Sequence, residues 1–430
     1  MRLFGTSGIR RLADEKLIQL ALKVGLVVGE AYPSVAVGCD TRTSSQAVKH
    51  ALLSGLLSAG SRCCDVGVVP LPTLAYAARE FDAGAMITAS HNPPEYNGIK
   101  LVNPDGSAFD SRQRKQIEEA VLAESFTATS WEEIKSGGAH NGVVEEHIAG
   151  ILQNFPAPLK LKVVVDSGCG AASRVTPGLL RKLGCEVVAL NCYPSGFFPR
   201  NVEPTEGNLG DLMQAVKELG ADLGIAHDGD ADRMMVVDDE GRFIDGDRLL
   251  ALFAQEMGAK KVVTTIDASM TIDELGFKVA RTKVGDIYVS EGLKGGGDFG
   301  GEPSGSWIFP KFSLCPDGIY AAAQITTIAS QEKLSRLVDD IPRYPILRGS
   351  INSRGVVMSE LEERLSVMKP LLMSDIDGTR LDFGDGWLLI RASGTEPKIR
   401  ITVEAKSAAR VRHLYDSALG AIKGCMEKQR

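Results

Sequence analysis

This 430-residue sequence lacks several features on which large classes of protein depend. It has no apolar run of the roughly 18 residues that a membrane-spanning helix needs. Its first residues, MRLFGTSGIRRLADE, lack the apolar core of a signal peptide. The net charge of −7 arises from interspersed signs without a basic stripe, which argues against a nucleic-acid partner. We therefore expect a cytoplasmic protein that binds neither membranes nor nucleic acids.

Histidine and paired cysteine are also scarce. The six histidines form no H-x-x-x-H pair, which disfavours a zinc site built on histidine. The eight cysteines include no C-x-x-C and lie mostly in apolar segments. These patterns predict reduced, buried thiols rather than disulfides or a metal site.

Strand-like and helix-like segments alternate along most of the chain. Three β-branched runs end at an Asp and precede a helical stretch: SVAVGCDTRTSS, KLKVVVDSGCGAAS and KKVVTTIDASMTID. Each is followed by a second strand that ends in a polar, glycine-bearing loop. This alternation predicts parallel α/β sheets, in which the loops at the carboxyl ends of the strands build the site. Three such loops are expected to face one another.

The last part of the chain has a different pattern. EERLSVMKPLL predicts a helix, TRLDFGDGWLLIRASGTEPKIRITVEAKS predicts two strands joined by a tight turn, and AARVRHLYDSALGAIKGCME predicts a closing helix. This is an α+β unit of another kind. A chain of this length is expected to contain about three or four domains.

An acidic loop, AHDGDADR, follows the apolar strand ADLGIA. It carries Asp228, Asp230 and Asp232 at alternate positions, so their carboxylates can converge on a hard divalent cation. The small residues between them can take the strained backbone that this requires. The Gly and Glu that a calcium-binding EF-hand needs are missing, so Mg²⁺ is the predicted ion. A solvated acidic turn is the alternative.

Two further segments carry groups that suit a phosphorylated sugar. RASGTEPKIRI combines arginine, hydroxyls and free backbone N–H groups, which suits a phosphate dianion, although a hairpin turn would use the same residues. GGEPSGSWIFP holds a carboxylate and a hydroxyl between glycines, which suits vicinal sugar hydroxyls, with an ordinary glycine-rich loop as the alternative. The predicted ligands are Arg391, Ser393, Gly394, Thr395, Lys398 and Arg400 for phosphate, and Glu302 and Ser304 for sugar.

Two other motifs are set aside. SDIDGTR, at 374–380, matches a motif of phosphate-transferring aspartate enzymes, but the preceding RLSVMKPLLM has helical spacing, so a turn is predicted there. GCGAAS lacks the third glycine of a dinucleotide-binding loop.

The stretch TASHNPPEYNGIK places Ser90 at the end of an apolar strand. A hydrolase nucleophile would lie in G-x-S-x-G, with a later Asp and His. Here His91 follows directly, and adjacent residues rarely aim their side chains at each other. The acidic loop, the phosphate segment and the sugar-like loop instead favour a serine that carries a phosphoryl group.

Taken together, these segments resemble the α-D-phosphohexomutases along the whole chain. TASHNPPEYNGIK is similar to the phosphoserine loop of that family, DGDADR to its metal loop, GEPSG to its sugar-recognition loop and RASGTEPKIRI to its phosphate-binding loop. The resemblance implies an α/β fold of three topologically similar α/β domains with mixed, largely parallel sheets, and a C-terminal α+β domain, arranged around a central cleft. The domain boundaries that we predict are 1–146, 147–246, 247–343 and 344–430.

The same resemblance implies the chemistry and the residues that perform it. A phosphohexomutase is an isomerase that moves a phosphoryl group reversibly between C6 and C1 of a hexose, through a phosphoserine and a hexose 1,6-bisphosphate. Lys100 matches a proposed general acid or base, and His91 a residue that assists it. The implied catalytic residues are Ser90, His91, Lys100, Arg10 and Arg233. The implied ligands of Mg²⁺ are Ser90, Asp228, Asp230 and Asp232. The implied sugar or phosphate contacts include Lys283, Gly285 and Asp286.

Within the family, FGTSGIR, GEPSG-x-WIFP and TKVGD are most similar to archaeal phosphoglucosamine mutases. This implies conversion of glucosamine 6-phosphate to glucosamine 1-phosphate, in amino-sugar biosynthesis. Ser306 and Trp307 depart from the G-E-x-S-G-H pattern of many bacterial members. Phosphomannomutase or phosphoglucomutase activity is the alternative. Remoter alternatives are a non-catalytic sugar-phosphate sensor and a phosphatase without a phosphoserine. A monomer or a homodimer is expected.

Overall fold

The structure, a computed structural model, describes residues 3–5, 8–352, 356–392 and 398–427. Four β-sheets follow one another along the chain, and each forms a unit with the helices that cover it. The first three sheets mix parallel and antiparallel pairs, whereas all strand pairs described in the fourth are antiparallel. The predicted architecture, three α/β units and a C-terminal α+β unit, is confirmed. The exact domain boundaries stay a prediction.

In the first unit, two inner strands of a seven-stranded sheet position the site. The strands are β1 (Phe4–Gly5), β2 (Gly8–Leu12), β3 (Ser34–Cys39), β4 (Arg62–Val68), β5 (Ala83–Ile87), β6 (Tyr96–Val102) and β7 (Gly138–Ala139), in the spatial order β1-β2-β6-β5-β3-β4-β7. The helices are α1 (Glu15–Ala31), α2 (Ser45–Ser58), α3 (Leu71–Ala77) and α4 (Ser111–Leu122). Strands β3 and β5 are buried throughout and pair in parallel, so the loops that follow them leave the sheet at one edge.

The second unit places the acidic loop between two neighbouring buried strands. Its helices are α5 (Val143–Leu152), which spans the boundary predicted at 146, α6 (Val175–Lys182) and α7 (Gly210–Leu219). Its strands are β8 (Lys162–Asp166), β9 (Glu186–Leu190), β10 (Leu223–His227), β11 (Met234–Val237) and β12 (Phe243–Ile244), in the order β12-β11-β10-β8-β9. Strands β10 and β11 pair antiparallel, so the acidic loop is the turn of a hairpin.

The third unit packs directly on the second. Its strands are β13 (Lys261–Thr265), β14 (Lys278–Thr282), β15 (Phe299–Glu302) and β16 (Ser306–Ile308), in the order β14-β13-β15-β16. Its helices are α8 (Gly246–Glu256), α9 (Thr271–Glu274), α10 (Asp286–Lys294), α11 (Gly318–Ala329) and α12 (Leu334–Asp339). Trp307 is buried and donates its indole N–H to the backbone carbonyl of Met234 at 2.7 Å. One apolar core runs through both units.

The fourth unit differs from the prediction in two places. Its strands are β17 (Ile346–Asn352), β18 (Leu372–Ser374), β19 (Thr379–Asp382), β20 (Gly386–Ala392) and β21 (Lys398–Ala405), in the order β17-β21-β20-β19-β18, and its helices are α13 (Met358–Ser366) and α14 (Ala408–Glu427). The predicted helix ends at Ser366, and an edge strand, β18, begins at Leu372. Lys369 has φ of 55° and precedes a proline, which cannot continue a helix. The stretch predicted as two strands contains three, because a turn at 383–385 separates β19 from β20.

Two predictions from composition can be compared with the described residues. Five of the eight cysteines are buried, as predicted, whereas Cys64, Cys169 and Cys192 are partly exposed. No helix in the described ranges is both long and apolar enough to cross a membrane.

Candidate active site

Ser90 lies three residues beyond the buried strand β5 and is only 2% exposed. Its hydroxyl donates to Oδ2 of Asp228 at 2.7 Å, so the first unit contacts the second at this atom. Nδ1 of His91 lies 3.2 Å from the same hydroxyl. The expectation that these neighbours would not meet was wrong. Ser90 has φ of 51°, and this left-handed turn brings the two adjacent side chains together.

His91 is held in its neutral form. Burial lowers the pKa of His91 to about 2, together with the charges of Arg233, Arg10 and Lys100. The tautomer with the proton on Nδ1 would donate to the hydroxyl oxygen of Ser90, because the hydroxyl proton is already used in the bond to Asp228. In that tautomer His91 is a hydrogen-bond donor to the Ser90 oxygen.

The loop that carries Ser90 is held by Arg42, a residue that the sequence analysis missed. Arg42 is 2% exposed and pairs with the buried Asp40 at 3.1 Å. Its guanidinium also donates to four backbone carbonyls of the loop, those of Ser90 (2.9 Å), Asn92 (2.6 Å), Pro93 (2.7 Å) and Tyr96 (3.0 Å). The planar fork of arginine suits several acceptors at once. The signal that could have revealed it is the Asp-Thr-Arg sequence directly after β3.

The acidic loop converges as its spacing predicts. Asp228, Asp230 and Asp232 are buried, and one ligand oxygen from each lies within 4.8 Å of the others. The backbone between them is strained, because Ala231 has φ of 57°. Gly229 is needed for close approach, since a Cβ there would lie 2.6 Å from the carbonyl oxygen of Ser90.

Lys100, on β6, lies inside this carboxylate cluster. Its Nζ donates to Oδ2 of Asp230 at 2.8 Å and to Oδ2 of Asp232 at 2.6 Å. Burial disfavours the charged amine, but the two carboxylates outweigh it and raise the pKa of Lys100 above its usual range. Lys100 is therefore protonated in this state of the protein.

The cluster has a surplus of negative charge and free ligand atoms. Burial raises the pKa of Asp228, with further increases from Asp232 and Asp230, whereas the nearby Lys100 overcomes burial and lowers the pKa of Asp230. Oδ1 of Asp230 and Oδ1 of Asp232 are buried and have no hydrogen-bond partner among the described residues. Buried carboxylate oxygens seldom stay unpaired. Three carboxylates with two free oxygens fit a hard divalent cation, and Mg²⁺ prefers such ligands.

Two predicted arginines flank Ser90. Arg10, on β2, donates to the side-chain oxygen of Asn92 at 2.8 Å, and its Nε is buried without a partner in the described chain. Arg233 pairs with Glu203 at 2.9 Å, and its backbone N–H donates to Asp228 at 3.3 Å. The sequence analysis missed Glu203, which lies in no recognisable motif. Both arginines bring positive charge to the Ser90 loop.

The sugar-like loop forms a compact site at the end of β15. The backbone N–H of Gly285, which has φ of 136°, donates to Glu302 at 2.8 Å. Burial raises the pKa of Glu302 to about 8, and the charge of Asp286 adds to this. Ser304 is exposed in the turn that follows. The predicted residues Lys283, Gly285, Asp286, Glu302 and Ser304 thus come from two loops that meet.

The predicted phosphate segment is described in part. Arg391, near the end of β20, pairs in register with Arg400 on β21, and Lys398 begins that strand. Arg391 and Arg400 line a cavity of about 380 Å³, together with Arg348 and Asp267. Arg348 was not predicted. Three predicted ligands, Ser393, Gly394 and Thr395, lie outside the described residues.

Asp377 connects this phosphate segment to the loop at 283–286, which contacts the sugar-like loop through Gly285. It pairs with Arg391 at 2.6 Å and accepts the backbone N–H of Val284 at 3.0 Å. Asp377 belongs to the SDIDGTR motif, which the sequence analysis set aside as a turn. The turn is present, but a strand, β18, precedes it instead of the predicted helix.

Comparison with known proteins shows the family. Four family models in succession match the chain, the phosphoglucomutase/phosphomannomutase alpha/beta/alpha domains I, II and III and the C-terminal domain, at residues 1–128, 145–241, 245–344 and 352–420. The chain belongs to the phosphoglucomutase/phosphomannomutase family. The predicted family and the predicted class of enzyme, a phosphohexomutase, are confirmed.

Relatives of this family match over nearly their whole length. The chain is 50% identical to a probable phosphoglucosamine mutase of Methanococcoides burtonii, over 98% of this chain and 99% of that protein. It is 44% identical to one of Pyrococcus furiosus, over 99% and 98%. A phosphoglucomutase/phosphomannomutase family protein from Burkholderia thailandensis has a TM-score of 0.88, with 28% identity over 99% of this chain and 97% of that one.

A more distant structure shares the fold. It is the Aspergillus fumigatus N-acetylphosphoglucosamine mutase in complex with GlcNAc-6P and magnesium, at 15% identity and a TM-score of 0.60, over 98% of this chain and 96% of that one.

Proposed function

We propose that this enzyme is a phosphoglucosamine mutase. It moves a phosphoryl group reversibly between C6 and C1 of glucosamine, through a phosphoserine at Ser90 and a bisphosphorylated sugar. The observation that carries the proposal is the buried Ser90 hydroxyl, 2.7 Å from Asp228 and beside a carboxylate cluster that contains Lys100. A serine in this position can accept and return a phosphoryl group, because the surrounding cations offset its charge.

The roles of the residues around Ser90 follow from their geometry. Arg10 and Arg233 supply positive charge beside the phosphoryl group, and neutral His91 faces the hydroxyl oxygen. Lys100 holds its proton in this state, which suits a general acid. A cation bound to Asp230 and Asp232 would offset their charges and lower the pKa of Lys100, which would favour Lys100 as a general base.

Asp228, Asp230 and Asp232 would hold Mg²⁺ together with the phosphate on Ser90. The ion would supply charge stabilisation to the transferring phosphoryl group. The fold relative from Aspergillus fumigatus, solved with magnesium, supports this choice of ion. Free carboxylate oxygens on Asp230 and Asp232 are the support from this chain itself.

The substrate is a hexosamine phosphate that spans two sites. Glu302 and Ser304 would contact the sugar hydroxyls, and Arg391, Arg400 and the loop between them would bind the phosphate that is not transferred. Residues Lys283, Gly285, Asp286, Lys398, Ser393, Gly394 and Thr395 would complete these contacts. The bisphosphate must turn around between the two transfers. Each of its phosphates therefore lies once beside Ser90 and once in the phosphate segment during one cycle. The archaeal relatives support glucosamine as the sugar. We also propose that the enzyme is cytoplasmic and is a monomer or a homodimer. Its proposed domains are 1–146, 147–246, 247–343 and 344–430.

Parallel assays test the substrate. Glucosamine 6-phosphate, mannose 6-phosphate and glucose 6-phosphate are compared by kcat/KM, with catalytic hexose 1,6-bisphosphate present. We expect the amino sugar to be preferred by at least about tenfold, since a site that pairs with a polar group rejects analogues that lack it. A preference for mannose or glucose phosphate would replace the substrate assignment with phosphomannomutase or phosphoglucomutase.

Intact mass before and after phosphatase treatment tests the phosphoserine. If Ser90 stays unmodified even with bisphosphate, the mutase proposal is wrong.

A further inference from the structure

A second cavity lies between the third and fourth units, apart from the residues of the candidate active site. Its volume is about 420 Å³. Ile266, Met270, Trp387 and Leu389 form an apolar cluster that joins the two units. The first three of these line this cavity, whereas Leu389 lines the cavity of Arg391. The cluster therefore lies between the two cavities.

Arg380 is the charged residue buried most deeply in this cavity. It is 5% exposed, its guanidinium carbon lies 4.2 Å from the ring centre of Trp387, and its Nη1 donates to the carbonyl of Ile266. Within the described ranges, no carboxylate lies within ion-pair distance of Arg380, and its Nε and Nη2 have no acceptor. Burial lowers the pKa of Arg380 to about 9, and the neighbouring Arg281 adds to this. The charges of Asp273, Asp382 and Glu404 oppose this shift, but none of these carboxylates pairs directly with the guanidinium, so one edge of it is free for a ligand.

The other charged groups around the cavity already have partners. Around this cavity the cations Arg281, Arg380 and Lys406 equal the carboxylates Asp273, Glu274 and Asp382 in number. These carboxylates oppose a dianion more strongly than a monoanion, so a monoanion is the better match for the free edge of Arg380. The pairs are Asp273 with Arg281, Glu274 with Lys406, and Asp382 with the backbone N–H of Gly384.

We propose that this cavity binds a small organic carboxylate with an apolar body. The free Nε and Nη2 of Arg380 form one edge of the guanidinium, which matches the two oxygens of a carboxylate. Ile266, Met270, Leu372 and Ile376 offer apolar contact to the rest of the ligand. The ligand would rest on both units at once, because its partners come from each.

The SDIDGTR motif builds much of this site. It supplies Ile376 and Arg380 to the cavity, and the same turn supplies Asp377, which pairs with Arg391 at 2.6 Å. One hairpin, β18–β19, thus contacts the carboxylate site on one side and a predicted phosphate ligand on the other. The proposed carboxylate site is built from residues outside the sugar-like loop, so this proposal is independent of which sugar the enzyme converts.

Calorimetric titration of the full-length protein with phenylacetate tests the proposal. Phenylacetamide is the neutral analogue of the same shape, and phenyl phosphate is the dianion. We expect phenylacetate to bind at least tenfold more tightly than either, and saturating glucose 1,6-bisphosphate not to displace it. Equal binding of the amide, tighter binding of phenyl phosphate, or displacement by the bisphosphate would each overturn the proposal.

Variants locate the site. Arg380→Met should weaken phenylacetate binding at least tenfold, but it also removes the bond to Ile266, so a second variant guards against a loss of fold. Leu372→Glu places a negative charge on an exposed wall of the cavity, at a side chain that is 72% exposed. Its control is Leu371→Glu, the adjacent residue with the same exposure, which does not line the cavity. Leu372→Glu should weaken binding about tenfold and Leu371→Glu should not. The same affinity in both variants would refute the location.

Discussion

The hydroxyl of Ser90 donates to the carboxylate of Asp228 at 2.7 Å, although 138 residues separate them in the chain. Both side chains are buried, so this bond is made in a medium where electrostatic interactions are strong. It cannot persist once Ser90 carries a phosphate, because the hydroxyl proton is then gone. A phosphate on Ser90 would add negative charge beside Asp228, and a cation held between the two groups would offset it.

Ser90→Ala should abolish turnover. The variant removes the oxygen that accepts the phosphoryl group, so kcat should fall by at least about a thousandfold. Intact mass should show no phosphorylated form, and the melting temperature should fall modestly because the buried Asp228 loses a hydrogen-bond donor. Ser417→Ala, at a partly exposed position on α14, is the control and should keep both activity and phosphorylation. Substantial turnover by Ser90→Ala would show that the phosphoryl group passes elsewhere.

Lys100→Met should destabilise the metal-free protein and make it depend on Mg²⁺ for stability. The change removes the cation between Asp230 and Asp232, and breaking such a buried pair costs about 3–5 kcal/mol. Added Mg²⁺ should recover much of this loss, so it should raise the melting temperature of the variant more than that of the parent protein. Equal shifts in the two proteins would contradict binding of the ion at this cluster. The Lys100→Met variant should be inactive both with and without added Mg²⁺.

Asp247→Asn should change how stability depends on pH. Burial raises the pKa of Asp247 from 3.8 to about 7, and the charge of Glu404 adds to this. Between these two values the folded protein keeps a proton that the unfolded chain releases, so stability falls as pH rises. The asparagine stays neutral and can still accept the backbone N–H of Ser269. The variant should therefore be more stable than the parent above pH 7, by at most about 4 kcal/mol.

Urea unfolding at pH 5 and at pH 8 checks this prediction. The difference in unfolding free energy between the two proteins should be larger at pH 8 than at pH 5. A difference that does not vary with pH would show that Asp247 does not titrate in this range.

Asp377→Asn should weaken substrate binding more than it slows the chemistry. Asp377 holds Arg391 and the backbone of Val284, which belong to the predicted substrate-binding segments, so KM should rise about tenfold and kcat should change less. Asp375→Asn, in the same turn at an exposed position, is the matched control and should behave like the parent enzyme. A fall in kcat at unchanged KM would place the role of Asp377 in the transfer step.

The pattern of residues within each short segment was sufficient to predict the strands and loops that build the site. The buried strands β5 and β10 are short apolar runs that end in polar loops, and the alternating aspartates of the acidic loop converge because a strained hairpin turn carries them. The edge strand β18 could not be predicted in this way. It is largely exposed, so its residues do not alternate between buried and exposed positions. Its apolar residues also continue the helical spacing of the preceding segment.

Residue types and spacing along the chain therefore determined the chemistry available to this protein: a serine at a strand end, three alternate carboxylates, a sugar-like loop and an arginine-rich phosphate segment. Only the tertiary structure decided how these groups are paired. It brings Lys100 between Asp230 and Asp232 and Arg42 beneath the Ser90 loop, and among the described residues it leaves Arg380 without a direct ion pair at a cavity. Such contacts depend on which strands become neighbours within a sheet, as for Arg42 and Ser90, and on how separate sheets pack, as for Lys100 and the aspartates; spacing within one segment encodes neither.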